Sequence, residues 1–106
     1  MTSTPGTTEL DPVIHVPARL RIVAALGALP DREAITFTRL QEILDLTGGN
    51  LITHLRKLEE AGYVQTVRTG GGRSSQTRAS LTPSGRLALA AYRTALARIL
   101  DQAAPR

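Results

Sequence analysis

The spacing of hydrophobic residues predicts a chain of short helices interrupted by one pair of strands. Apolar residues recur at helical spacing after Pro17, which suits the first position of a helix that runs to Gly27. Pro30 and Asp31 end this helix, because proline cannot continue it. Residues 34–37 are rich in strand-favouring side chains and predict a short extended segment.

Two more helices are predicted next, with a turn of only a few residues between them. Thr38 can cap the first of them, over residues 39–46. Thr47 can cap the second, which ends at Gly62. In each helix, leucine and isoleucine recur every three or four positions and define one apolar face.

A β-hairpin and a last helix complete the predicted order. The β-prone runs 63–69 and 77–82 flank the segment GGGRSSQ, whose glycines allow a long turn. Pro83 cannot continue the second strand but suits a helix start, so the last helix is predicted over residues 84–102. The predicted fold class is therefore α+β, mainly α.

The composition limits the chain to one domain with restricted chemistry. Residues 1–9 are mostly Thr, Ser, Pro and Gly and predict a disordered tail, whereas residues 10–106 predict a single domain. The absence of cysteine excludes disulfides, thiolate metal sites and thiol catalysis. No apolar run approaches the roughly 20 residues of a membrane span, and no secretory signal is visible, so a soluble cytoplasmic protein is expected.

Catalytic chemistry is not expected from this sequence. Two histidines and nine scattered acidic residues provide no catalytic triad, paired carboxylates, metal cluster or cofactor loop. We therefore expect no enzyme, no metal and no other cofactor. No pattern marks a pocket for a small-molecule effector, so any such effector stays unidentified.

Positive charge is concentrated in the middle of the chain. Residues 50–86 hold six Lys or Arg against two acids, whereas residues 1–49 hold four Arg against six acids. Twelve of the 13 cationic residues are Arg, whose forked guanidinium suits phosphate and guanine. A localised basic segment is typical of a nucleic-acid-binding protein, but a basic solvated surface would show the same counts.

The third predicted helix has one face suited to reading DNA bases. At about 100° per residue, its leucines fall on one side and Asn50, Thr53 and Lys57 fall on the other. Asn can pair with adenine, Thr can contact a thymine methyl, and Lys can reach guanine or phosphate. Any surface helix places polar residues opposite apolar ones, so a solvated face is the alternative. Ile52 lies to the side of this face and His54 lies nearer the leucines. For both residues packing is the favoured role, and DNA contact stays open.

The predicted hairpin carries cations with no acid among them. Three arginines and three neutral hydrogen-bonding residues make up the set: Arg68, Arg73, Arg78, Ser74, Ser75 and Gln76. The arginine at the tip, Arg73, is placed to enter a narrow minor groove, and the neutral residues can donate to phosphates. A polar loop kept soluble by arginine is the alternative.

These residues carry a resemblance to a known family. The segment LQEILDLTGGNLITHLRKLEEAGYVQTVRTGGGRSSQTRASLTPSGR resembles the winged helix-turn-helix of small bacterial transcriptional regulators, akin to the MarR and ArsR groups. The likeness covers residues 10–100, and its most telling parts are LTGGNLITHLRKLEEAGYV and LTPSGR. It implies a winged helix-turn-helix with a two- to three-stranded antiparallel wing, a terminal dimerisation helix and a homodimer.

The resemblance also implies roles for particular residues. Five residues would belong to the recognition helix: Thr47, Gly49, Asn50, Thr53 and Lys57. The full set expected to contact DNA adds Arg39, Arg56, Arg68, Arg73, Ser74, Ser75, Gln76 and Arg78. Ile52 stands where relatives often carry Ser, and Gly48 where a polar residue is common, which leaves the base preference open.

The last predicted helix has a broad apolar stripe. Seven residues fill an arc of about 140°: Ala88, Leu89, Tyr92, Ala95, Leu96, Ile99 and Leu100. This is wider than one side of a small core requires, and the surplus would cover a partner surface. The predicted dimer contacts are Leu89, Tyr92, Leu96, Ile99 and Leu100. The alternative is a stripe that is buried wholly within one chain.

Together these features favour a sequence-specific regulator that binds double-stranded DNA. We expect a homodimer that acts as a repressor on a palindromic operator, with its two recognition helices roughly one DNA turn apart. The alternative is a winged-helix module that binds a protein or an acidic partner without sequence-specific DNA binding.

Overall fold

A computed structural model describes residues 9–31 and 33–103, and residues 1–8 of the predicted tail lie outside these ranges. The helices are α1 (Pro17–Gly27), α2 (Phe37–Leu44), α3 (Gly48–Glu60) and α4 (Pro83–Ala103). The strands are β1 (Ile35–Thr36), β2 (Val64–Thr69) and β3 (Gln76–Leu81), and a short 3-10 turn, Gly72–Ser74, joins the last two. The predicted α+β class is confirmed. No helix within the described ranges is long and apolar enough to span a bilayer.

Proline and threonine set the starts of three helices as predicted. Pro17 is the first residue of α1. Thr47 is the N-cap of α3, where its hydroxyl oxygen accepts the backbone N–H of Asn50 at 3.2 Å. Thr82 precedes Pro83 at the start of α4, and its hydroxyl oxygen accepts the backbone N–H of Gly85 at 3.0 Å.

Helix α2 lies two residues earlier than predicted. Its cap is Thr36 rather than Thr38, because the Thr36 hydroxyl oxygen accepts the backbone N–H of Arg39 at 3.2 Å. Asp45 adopts a left-handed backbone with φ of 53° and ends the helix at Leu44, before the predicted end. The predicted extended segment is correspondingly shorter, since its last residue is the first residue of α2.

The three strands form an antiparallel sheet with β3 in the centre. β2 pairs with β3 in the order Val64 with Leu81 through Thr69 with Gln76, which makes the predicted hairpin. β1 adds two residues on the other edge, where Ile35 pairs with Ala79. The hairpin, residues 64–81, is the wing of the fold.

The main core lies where the helices meet the base of the wing. It contains the leucines that were predicted on one face of α3 and aliphatic residues from the other elements: Ile22, Val23, Leu26, Leu40, Leu44, Leu51, Leu55, Leu58, Val64, Ala79, Leu81 and Leu89. The side chains are almost wholly aliphatic, as the shortage of aromatic residues requires. Burying one face of α3 in this cluster fixes the opposite face toward solvent.

The segment before α1 is fixed to the rest of the chain by polar contacts. The Tyr63 hydroxyl donates to Asp11 Oδ2 at 2.5 Å, and His15 Nδ1 lies 3.0 Å from the Tyr92 hydroxyl. Arg19 Nε donates to the carbonyl of Val13 at 2.6 Å. This segment therefore connects the end of α3 to the middle of α4.

Candidate nucleic-acid interface

The exposed face of α3 presents the polar residues that its periodicity predicts. Asn50, Thr53, Arg56 and Lys57 are all exposed, while the leucines on the other side are buried. The Thr53 hydroxyl donates to the carbonyl of Gly49 at 2.9 Å, so this oxygen remains available only as an acceptor for an outside donor. Donors, acceptors and positive charge therefore share one solvent-facing side of α3.

The two glycines that open α3 have no packing requirement inside the chain. A Cβ atom on Gly49 would meet nothing within 4 Å, and on Gly48 it would make only ordinary contacts with α2 at 3.9 and 4.0 Å. Glycine in a helix costs about 1 kcal/mol relative to alanine. The first turn of α3 therefore has no side chains at these two positions, although the fold could accommodate them.

A cleft of about 650 Å³ separates α3 from the wing and from the start of α2. It is lined together by Arg39 of α2, Arg56 of α3, Ser75 just before β3 and Gln76, the first residue of β3. The structure thus brings predicted DNA-contacting residues from three elements to one surface. Its floor is partly apolar, with Phe37, Ile52 and Leu55.

Two acidic residues, Glu42 and Glu59, line this cleft beside its two arginines and match them in number. Arg39 Nη1 lies 3.4 Å from Glu42 Oε1 in an exposed pair one helical turn apart. Such a pair contributes little to stability, about 0 to 1 kcal/mol, so Arg39 can exchange it for a phosphate. Glu59 also lines the cleft and accepts a hydrogen bond from Thr66 of the wing.

The wing residues divide between the two faces of the hairpin. Arg68 pairs with Thr77 on the face that also carries Thr66, which contacts α3. Arg78 pairs with Val67, and side chains alternate along a strand, so Arg78 lies on the opposite face. The structure therefore does not bring Arg68 and Arg78 together.

The tip of the wing is built for a tight reversal. Gly70 and Gly72 have positive φ of 77° and 57°, which glycine adopts without strain. Arg73 is exposed within the 3-10 turn, and Arg68 Nε donates to Ser75 Oγ at 2.6 Å across the hairpin. The Ser74 side chain lies outside the described part of the structure.

Ile52 and His54 have different surroundings. Ile52 is 43% exposed and lies in the cleft, so it borders the predicted interface. His54 is half-buried, and its Nδ1 is enclosed without a hydrogen-bond partner among the described residues. The histidine thus faces the protein more than the solvent.

The predicted dimer residues of α4 divide into two groups. Leu89 and Tyr92 are buried within the single chain, with Tyr92 in contact with His15. Leu96 and Ile99 are half-buried, and Leu100 is 62% exposed. Among the predicted dimer residues, only Leu96, Ile99 and Leu100, toward the end of α4, keep apolar area that a second chain could cover.

Sequence periodicity missed the contact between Glu59 and Thr66 at this surface. They are seven positions apart on different elements and meet through the hydrogen bond between α3 and β2. No local pattern links a helical glutamate to a strand threonine, because their contact depends on how β2 packs beside α3 in the finished fold.

Helices α1, α2 and α3 are followed by a two-stranded wing, and the polar face of α3 is exposed beside that wing. This arrangement defines a winged helix-turn-helix fold. The sequence matches the family described as Winged helix DNA-binding domain over residues 18–100. The chain belongs to this family.

Known proteins are similar to this chain over most of its length. An uncharacterized protein, MJ0432, of Methanocaldococcus jannaschii is 40% identical over 74 residues, which cover 70% of this chain and 77% of that protein. The transcriptional regulator homologue protein from Pyrococcus horikoshii OT3 is 31% identical with a TM-score of 0.76, covering 85% of this chain and 86% of that one.

A third relative in structure was solved with nucleic acid. Streptococcus pneumoniae FabT in complex with DNA has a TM-score of 0.54 at 19% identity, covering 89% of this chain and 69% of that one. This likeness shows the shared fold. None of the three proteins is named as an enzyme.

Proposed function

We propose that the protein is a sequence-specific regulator that binds double-stranded DNA through α3 and the wing. The observation that carries the proposal is the shared cleft, where cations and neutral donors from α2, α3 and the wing face one surface. A duplex lying across it would place the polar face of α3 at the base edges and the wing along the backbone.

The bare N-terminus of α3 supports a close approach of the DNA backbone. Phosphates favour the positive end of a helix and its unpaired N–H groups. Gly48 and Gly49 leave this end uncovered although neither is required by packing. The fold of FabT, which was solved in complex with DNA, is consistent with the same use of the surface.

We further propose that two chains act together as a repressor on a palindromic operator. The exposed end of α4, with Leu96, Ile99 and Leu100, is the surface that supports pairing. A two-fold pair would present two recognition helices to successive turns of one groove. Occupation of a promoter by this dimer would exclude the transcription machinery.

The division of labour between α3 and the wing is testable with two substitutions. Asn50→Ala should reduce affinity for a duplex selected from a random pool by about tenfold, because a bidentate base contact is worth about 1 to 3 kcal/mol. The same change should leave affinity for a scrambled duplex nearly unaltered.

Arg73→Ala should behave differently, because phosphate and minor-groove attraction does not depend strongly on sequence. Affinity for both duplexes should fall by a similar factor, and the salt dependence should become shallower. Fluorescence anisotropy with labelled duplexes measures both effects. If Asn50→Ala lowered both affinities equally, base reading by α3 would be refuted.

A further inference from the structure

Among the side chains that the structure describes, one hydrogen bond joins the wing to the recognition helix. Thr66 Oγ1 of β2 donates to Glu59 Oε2, in the last turn of α3, at 2.8 Å. Both residues line the cleft that the proposed function assigns to DNA. The contact therefore lies between the element that would read bases and the element that would follow the backbone.

Beyond Thr66, the described side-chain hydrogen bonds of β2 stay within the hairpin. Arg68 donates to Ser75, and Thr69 Oγ1 lies 3.5 Å from the carbonyl of Gln76. Val67, Arg68 and Thr69 are exposed, so apolar burial does not hold this end of the strand. Thr66 is thus the last residue of β2 whose described side-chain bond reaches outside the wing.

The negative charge of Glu59 is unexpected in a cleft proposed to bind DNA. A carboxylate in a cleft that faces phosphates would oppose binding by simple electrostatics. Glu60, its neighbour on α3, is exposed and forms none of the described side-chain hydrogen bonds. The hydrogen bond from Thr66 gives Glu59 a structural role that would compensate for this repulsion. Glu60 carries the same charge on the neighbouring residue without that hydrogen bond.

We propose that Glu59 and Thr66 are positioning residues that hold the wing at a fixed distance from α3, so that Arg73 reaches the same duplex as Asn50. This inference rests on the proposed function, because positioning has a consequence only if both elements bind DNA. Neither residue contacts DNA in the proposal.

The first experiment measures the position of the wing without DNA. The chain has no cysteine, so spin labels at Lys57→Cys and Arg73→Cys report one distance between α3 and the wing tip. The labelled protein is diluted with unlabelled protein so that distances within one chain dominate. Glu59→Ala and Thr66→Val should each broaden the distance distribution, and Glu60→Ala should leave it unchanged.

The second experiment measures the consequence for binding. Glu59→Ala and Glu60→Ala remove the same formal charge, but only Glu59 lines the cleft, so its removal also relieves more repulsion of phosphates. A weaker affinity of Glu59→Ala would therefore have to come from the lost contact with Thr66. We expect Glu59→Ala to bind about threefold more weakly than Glu60→Ala, in keeping with the modest net contribution of one exposed hydrogen bond. Thr66→Val, which leaves the charge in place, should lower affinity by a similar factor.

Double variants that combine Arg73→Ala with a change at Glu59 or Glu60 distinguish a positioning role of Glu59 from a general loss of stability. In the Glu59→Ala background, Arg73→Ala should cost clearly less affinity than in the wild type, since the tip is already misplaced. In the Glu60→Ala background, Arg73→Ala should reduce DNA affinity by the same factor as in the wild type.

Two results would overturn the inference: unchanged distance distributions in Glu59→Ala and Thr66→Val, or an undiminished Arg73→Ala penalty in the Glu59→Ala background. Failure of the proposed function has a different signature. In that case the distributions would broaden as expected, but the wild type would bind no duplex.

Discussion

Tyr63, which follows α3, links the end of that helix to the segment before α1. Its hydroxyl donates to Asp11, whose other carboxylate oxygen accepts the backbone N–H of Val13 at 2.9 Å. The hydrogen bond to Asp11, partial burial and the negative charge of that carboxylate together raise the pKa of Tyr63 from 10.0 to about 12. The phenol is therefore kept neutral in the folded protein at a pH where the unfolded chain ionises.

This shift predicts a specific loss of stability in alkaline solution. The pKa of Tyr63 is higher in the folded state, so its contribution is fully present below pH 10 and is lost as the pH rises from 10.0 toward 12. At neutral pH, Tyr63→Phe should lower the free energy of unfolding by about 1 kcal/mol. Denaturant melts should show this difference shrinking across the alkaline window, and a constant difference would contradict the account.

Periodicity predicts single residues well where one element decides their environment. The exposure of Asn50, Thr53 and Lys57 follows from burying the leucines of α3, and the structure shows it. The Tyr63 to Asp11 bond joins residues 52 positions apart, so it depends on the finished fold. Roles of individual residues in DNA contact stay predictions.

At the scale of elements, the start of α4 packs closely against the start of β2. A Cβ atom on Gly85 would lie 2.1 Å from the carbonyl oxygen of Tyr63 and 3.0 Å from a Leu81 methyl. Thr82 also donates its backbone N–H to the Tyr63 carbonyl at 3.0 Å. Only glycine permits this crossing without displacing backbone.

Gly85→Ala should therefore destabilise the fold by about 1 to 3 kcal/mol or more, the usual cost of overpacking. Gly49→Ala is the matched control, because its added methyl meets open space in the chain and favours the helix by up to about 1 kcal/mol. Thermal melts of the two variants should shift in opposite directions. Equal shifts would refute the close packing at Gly85.

The displaced start of α2 shows what limits prediction at this scale. Thr36 and Thr38 have the same capping chemistry, and local sequence does not choose between them. Thr36 is held extended by its pairing with Arg78 of β3, 42 positions later in the chain, and this places the cap. The hairpin register likewise decides that Arg68 and Arg78 face opposite ways.

At the scale of the whole molecule, α4 serves both the core of one chain and the proposed dimer. Its broad stripe predicted more free apolar surface than the structure leaves, because the segment before α1 reaches α4 at Tyr92. The sequence could not show this, since the covering residues lie near the other terminus. The proposed dimer surface is accordingly limited to the end of α4.

Leu100→Asp should weaken self-association by about a hundredfold, because a dimer would bury an unpaired charge. Leu87→Asp is the control, since Leu87 is 73% exposed on the opposite side of the same helix. Sedimentation equilibrium measures both constants. Equal association of the two variants, or a monomeric wild type, would contradict the proposed dimer.

The central claim is that α3 and the wing together select one DNA sequence. Its most direct test is the affinity of the wild-type protein for the duplex it selects from a random pool and for a scrambled duplex, measured across a range of salt concentrations. We predict that both affinities fall with salt and that the selected duplex binds about a thousandfold more tightly at physiological salt. Equal affinities for the two duplexes at every salt concentration would contradict the account.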